Sequence, residues 1–142
     1  MAPYEIIDHR ADVGLAVRGE SLGKLFEDAA RGMFEIISDI KPQGWEERMD
    51  VELAAPDAES LLVDWLSELL YLFEVKKFYT TAPEVELRLT DDAGGGVVLI
   101  ATVSGIRMKG AISATEIKAV THHLLSIDKV LGGYETKIYF DI

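Results

Sequence analysis

Two short stretches of this sequence carry residue types from which a cation site could be built. The first is Asp8-His9-Arg10-Ala11-Asp12-Val13-Gly14, with two carboxylates and an imidazole in what reads as a loop between strands. The second is Tyr139-Phe140-Asp141-Ile142. Carboxylate oxygens suit hard divalent cations, and loops carried on a rigid sheet often hold function. Taken alone, the first stretch reads more simply as turn chemistry, with Asp8 and Asp12 hydrogen bonding the local backbone. In the second, an ordered tail would bring Asp141 close to a terminal carboxylate, and two like charges held together call for a cation between them. A frayed, solvated end is the alternative. The strand pattern that runs to apolar Ile142 favours docking of the tail.

Other chemistries find less support. His122 and His123 are adjacent, so they point to opposite faces of a strand and diverge on a helix. With three histidines and no cysteine, zinc has few donors. Thiolate catalysis and disulfides are excluded for the same reason. The chain lacks a G-x-x-x-x-G-K-[ST] phosphate loop, a G-x-G-x-x-G fingerprint and a G-x-S-x-G elbow. Gly94-Gly95-Gly96 falls in a hairpin turn, where no helix start offers amides to a phosphate. No nucleophile and base stand beside the carboxylates.

The elements that must position these residues are legible from periodicity. Tyr4–Ile7 reads as a strand, and Leu15 and Val17 mark a second. Ser21 caps a helix whose stripe is Leu22, Leu25, Phe26, Ala29, Met33, Ile36 and Ile37, and which stops near Asp39–Pro42. Met49, Val51 and Leu53 alternate as a strand. Asp57 caps a second helix with the stripe Leu61, Leu62, Trp65, Leu66, Leu69, Leu70 and Phe73. Val85–Leu89 and Val97–Val103 form a hairpin across Asp91–Gly96. Gly105–Ser113 is expected as an irregular loop, Thr115–Asp128 as a strand leading to the Gly132-Gly133 turn, and Tyr134–Asp141 as the final strand. Two main helices with seven or eight strands, arranged as hairpins, predict an α+β two-layer sandwich with a mixed β-sheet, in one domain over 1–142.

Composition narrows the partners. Lys and Arg number 14 against 25 Asp and Glu, for a formal charge of −11. Affinity for nucleic acid comes largely from cations that displace counterions, so strong direct binding to RNA or DNA is not expected, and cations or basic protein surfaces suit the chain better. No apolar run approaches the ~20 residues of a membrane span. The N-terminus has no signal-peptide pattern. The expected setting is cytoplasmic, and the expected state a monomer.

Five segments, in order, resemble the archease family: Tyr4–Gly14, Leu25–Ala30 with Ser38-Asp39, Ser60–Leu70, Thr115–Thr121, and Phe140-Asp141-Ile142. The resemblance spans essentially the whole chain. It implies an accessory protein, not itself an enzyme, that activates a GTP-dependent RNA-splicing ligase by promoting its guanylylation and repeated turnover in tRNA splicing. It also implies a divalent-cation site made by Asp12, Asp141 and Ile142, with Asp8, His9 and Asp39 as further candidates. Calcium is the expected ion, with magnesium or manganese the alternatives. Two other functions stand beside this one: a metal-dependent hydrolase of phosphoesters or nucleotides, and a chaperone-like adaptor without a metal. The chain departs from the family pattern at Arg10, where Thr is usual, and over Ile106–Ser113, where acids and a His are replaced by a run containing Arg107 and Lys109. That change is either drift on a tolerant surface or a loss of oxygen ligands.

Overall fold

In the computed structural model the residues described are 3–8, 12–89, 96–112 and 114–142, with the side chains of Asp8 and Leu89 also outside this set. Helix α1 spans Leu22–Ile37, and its start is fixed by Ser21, whose hydroxyl accepts from the Lys24 amide at 3.1 Å. Leu25, Phe26, Ala29, Met33 and Ile37 are buried on it, as the spacing predicts. Helix α2 spans Ala58–Lys76 and is capped by Asp57, which accepts from the Ser60 amide at 2.7 Å. That hydrogen bond holds the Asp57 carboxyl below its ordinary range. The helix ends at Lys77, which takes the left-handed conformation with φ 59°. Trp65 is fully buried and still finds an acceptor, since its ring N–H donates to the Phe26 carbonyl at 3.0 Å.

The strands are β1 (Tyr4–Asp8), β2 (Asp12–Gly19), β3 (Gly44–Ala55), β4 (Phe78–Leu89), β5 (Val97–Met108), β6 (Ala119–Val120), β7 (Asp128–Val130) and β8 (Gly133–Asp141). The expected α+β sandwich is present, and its strands fall into two sheets. The first has the order β1-β2-β8-β6 with β7 also on β8; the second has the order β3-β5-β4. Every pairing among the described residues is antiparallel, where a mixed sheet was expected. The reason lies in the connections. Helix α1 leads from β2 into the other sheet, and α2 joins β3 to β4 with β5 inserted between them, so neither helix links parallel neighbours. Both helices pack against strands of both sheets.

β2, β3, β4 and β5 all run further than their alternation suggested, β3 from Gly44 to Ala55, and one expected strand is shorter. β2 begins at Asp12, so Asp12-Val13-Gly14 is strand and not loop. β4 begins at Phe78, and β5 continues through Gly105 to Met108. Gly105 is not a break: a Cβ there would lie 2.3 Å from the Tyr79 carbonyl, so glycine lets β4 approach closely beside its irregularity at Thr80/Ala82. The expected strand over Thr115–Asp128 is mostly irregular, with β6 and the start of β7 its only paired parts. The turn expected at Asp91–Gly96 lies outside the described residues except for Gly96. At the β4 edge, the Glu27 carboxylate of α1 accepts from the Val85 amide at 2.9 Å, which satisfies an otherwise open edge donor.

Candidate functional site

The β2–β8 ladder decides where the candidate residues lie. Its register pairs Asp12 with Asp141, Val13 with Phe140, Gly14 with Tyr139 and Leu15 with Ile138. Val13, Leu15, Ile138 and Phe140 are buried, so they face the helices. By strand alternation, Asp12, Gly14, Asp141 and Tyr139 share the outer face. Asp12 and Asp141 are therefore directly opposed, with Cβ atoms of such pairs ~4.5–5.5 Å apart. Asp12 is half-buried and Asp141 exposed. Among the described residues no ion pair reaches either carboxylate.

The end of β8 is clamped on its other side. The Lys118 amide donates to the Asp141 carbonyl at 2.7 Å, and Ala119 pairs with Asp141. The Thr121 amide and hydroxyl both donate to the Tyr139 carbonyl at 3.0 Å. Ile142 is half-buried and packs against the core, so the tail is docked. Tyr139 lies over Gly14: a Cβ at Gly14 would come 3.0 Å from the ring. The His123 ring meets Tyr139 edge-on at 6.1 Å, while His122 and His123 are both exposed in irregular chain.

The remaining candidates are placed differently. Asp8 pairs with Val13 in the β1–β2 ladder, one step from Asp12 along β2. His9 and Arg10 lie outside the described residues. Asp39 lies beyond α1 in an open groove with Tyr4, Arg31, Lys41 and Tyr79, and neither Asp12 nor Asp141 lines that groove. At its rim the Tyr4 hydroxyl donates to Glu35; this hydrogen bond, burial and the Glu35 charge push the Tyr4 phenol up to about 12. Burial also raises the Tyr79 phenol, whose hydroxyl is within 3.0 Å of the Phe34 and Ser38 carbonyls.

The donors thus brought together are two carboxylates, with the main-chain oxygen of Ile142 next along the chain. Among the described residues no group of three or more His, Cys, Asp or Glu is arranged around one point. An oxygen-only set of this kind fits a hard cation that keeps several waters, and it offers no nitrogen or sulfur for zinc. The basic substitution at Arg107 is accounted for within the sheet: its guanidinium makes two hydrogen bonds to Glu47, at 2.7 and 3.1 Å, and a third to the Lys76 carbonyl at 3.0 Å. Sequence reasoning missed this pairing, because Glu47 and Arg107 meet only through the β3–β5 register, where Trp45 stands opposite Arg107.

Comparison with known proteins gives one consistent result. The profile of the Archease protein family matches residues 4–142. The protein archease of Methanosarcina mazei is 38% identical over 139 residues, covering 98% of this chain and 95% of its own. That of Archaeoglobus fulgidus is 35% identical, covering 98% of each. Among solved structures, Methanobacterium thermoautotrophicum protein 1598 superimposes with a TM-score of 0.78 at 30% identity over 100% of both chains. An archease from Thermotoga maritima, described as a possible chaperone, gives 0.63 at 25% identity over 97% of this chain and 96% of its own. Fold and sequence agree from the first strand to the end of the last, and the chain belongs to the Archease family.

Proposed function

We propose that this protein is an accessory factor that activates a GTP-dependent RNA-splicing ligase, promoting its guanylylation and repeated turnover, with a divalent cation at Asp12, Asp141 and Ile142. The observation that carries the reading is the direct opposition of Asp12 and Asp141 across β2–β8, at a chain end docked by Ile142. Like charges directly opposed on a sheet are destabilising, and no described basic side chain offsets them. Calcium is the ion proposed, with magnesium or manganese able to use the same oxygens. Bound there, a cation would neutralise the pair and offer positive charge to phosphate oxygens. Asp12 and Asp141 would hold and orient the ion. The acidic balance of the whole chain suits a basic protein partner better than bare RNA. The description of the Thermotoga relative as a possible chaperone also favours a helper role.

The test is multiple-turnover RNA ligation by the ligase of the same source, with GTP and calcium, magnesium or manganese. The native chain is expected to stimulate turnover, and Asp12→Ala and Asp141→Ala to abolish the stimulation. Stimulation that survives both changes would leave an adaptor without a metal role. Phosphoester hydrolysis by the purified chain alone, lost in Asp12→Ala, would make it an enzyme instead.

A further inference from the structure

The second sheet ends at β3, and this edge differs from the other edges among the described residues. β1 has five residues, β6 two and β7 three. β4 carries Pro83, the irregularity at Thr80/Ala82 and the Glu27 carboxylate on its Val85 amide. Short length, proline, bulges and covering groups all blunt an edge against further pairing. β3 has none of these. Its 12 residues pair with β5 without a shift from Gly44 to Ala55. β5 and α2 are the only elements that pack on it. Among the described residues no hydrogen bond reaches its second row of amides and carbonyls. Such a row accepts an extended strand, and the side chains of β3 decide which one. Val51 and Ala55 are buried against the helices, so Trp45, Met49 and Leu53 share that face, and Glu46, Arg48, Asp50 and Glu52 share the other. Trp45 is 58% exposed. Among the described residues none of the four charged side chains makes an ion pair. On β5 they stand opposite Ile106, Ser104, Thr102 and Ile100. Charges along an open edge repel an arbitrary strand and admit one that sets opposite signs against them.

We propose that the strand is β3 of a second copy of this chain, paired antiparallel about a two-fold axis at Asp50, so that the sheet runs β4-β5-β3-β3-β5-β4 through both copies. A two-fold pairing makes each contact twice. In this register Arg48 stands opposite Glu52 of the second copy on both sides of the axis, Met49 opposite Val51, Trp45 opposite Ala55, and Glu46 opposite Ala54. Glu47, already neutralised by Arg107, stands opposite Leu53. One like pair remains, Asp50 with its own copy, and both Arg48 side chains flank it on the diagonal. Neighbouring registers are worse. An axis at Met49 sets Glu46 against Glu52 twice, and one at Val51 sets Asp50 against Glu52 twice. The single base of this row is therefore placed where self-pairing needs it. The net charge of −11 opposes association at long range, and salt at about 0.15 M screens that repulsion beyond ~8 Å, while charges in contact lie within that range. The dimer replaces the monomer expected from the sequence. It does not involve Asp12 and Asp141, which lie on the other sheet.

The experiment is sedimentation of the full chain from micromolar to submillimolar concentration at about 0.15 M salt. The chain is expected to pass from monomer to dimer over this range. As it does, alternate amides of β3 should gain protection from hydrogen exchange, and those of β1 and β4 should not change. Arg48→Glu should weaken the dimer by about tenfold, since it replaces two attractive contacts with two repulsive ones. Arg48→Glu/Glu52→Arg reverses both signs and should restore the dissociation constant to within about twofold. Neither residue faces a charge within its own sheet, and a dispersed amide spectrum reports that each variant is folded. Asp12→Asn should leave the dimer unchanged, so the cation site and the dimer fail separately. A monomer at every concentration, a dimer indifferent to Arg48→Glu, no rescue by Glu52→Arg, or new protection on β1 or β4 in place of β3 would overturn the proposal.

Discussion

Two rows of one ladder, on one face of one sheet, treat charge in opposite ways. Near one end of the β2–β8 pair, Arg18 stands opposite Glu135 and their side chains meet at 2.9 Å. At the other end Asp12 stands opposite Asp141, with no described cation on either. The first row is what sheet stability favours, and the second is what it disfavours. A strand pair that can place opposite charges in register has a reason beyond stability when it places like charges there. The contrast singles out the Asp12–Asp141 row as the candidate for function more clearly than the presence of two acids does.

The comparison breaks most completely if the ladder itself is lost. Phe140, fully buried between Tyr139 and Asp141, holds β8 on the core. Phe140→Ala should cost about 3–5 kcal/mol by denaturant unfolding, and the cation response should disappear with it. A smaller change sharpens the contrast without unseating the strand. Calcium at about a hundred times its dissociation constant should stabilise the native chain by about 2.7 kcal/mol, raising Tm by roughly 5–10 °C. Asp12→Asn should abolish that rise. In chelator the same variant should be more stable than the native chain by about 0.2–1 kcal/mol. Equal calcium responses in the two proteins would remove the cation from this row. The smallest effect belongs to the paired row. Both of its side chains are about half exposed, so Glu135→Gln should cost less than about 1 kcal/mol, and less still in high salt. A larger cost there would mean that charge opposition is worth more on this face than supposed, for both rows.

Much of the fold could be read from the sequence where its causes are local. Ser21 and Asp57 mark the two helix starts because capping is decided within three residues. The burial of Leu25, Trp65 and Leu69 follows from spacing alone. What could not be read depends on distant partners. Gly105 looks like a break until the Tyr79 carbonyl is beside it. Asp12-Val13-Gly14 looks like a turn until β8 supplies the other half of the ladder. The acids of the candidate site stand out weakly by residue type and more firmly by family resemblance, and their opposition is a matter of register between β2 and β8.

That register bears on how the protein is made. β2 emerges early in synthesis and can pair at once with β1, but its other edge waits for β8, and β3 waits for β5, which must enter between β3 and β4. Contacts so distant along the chain slow folding, because loop closure comes before any gain from pairing. Asp12 meets Asp141 only when the ribosome has delivered the final strand. The proposed ion, captured between them, would register that the two strands have paired, and would act as a seal on the finished ladder.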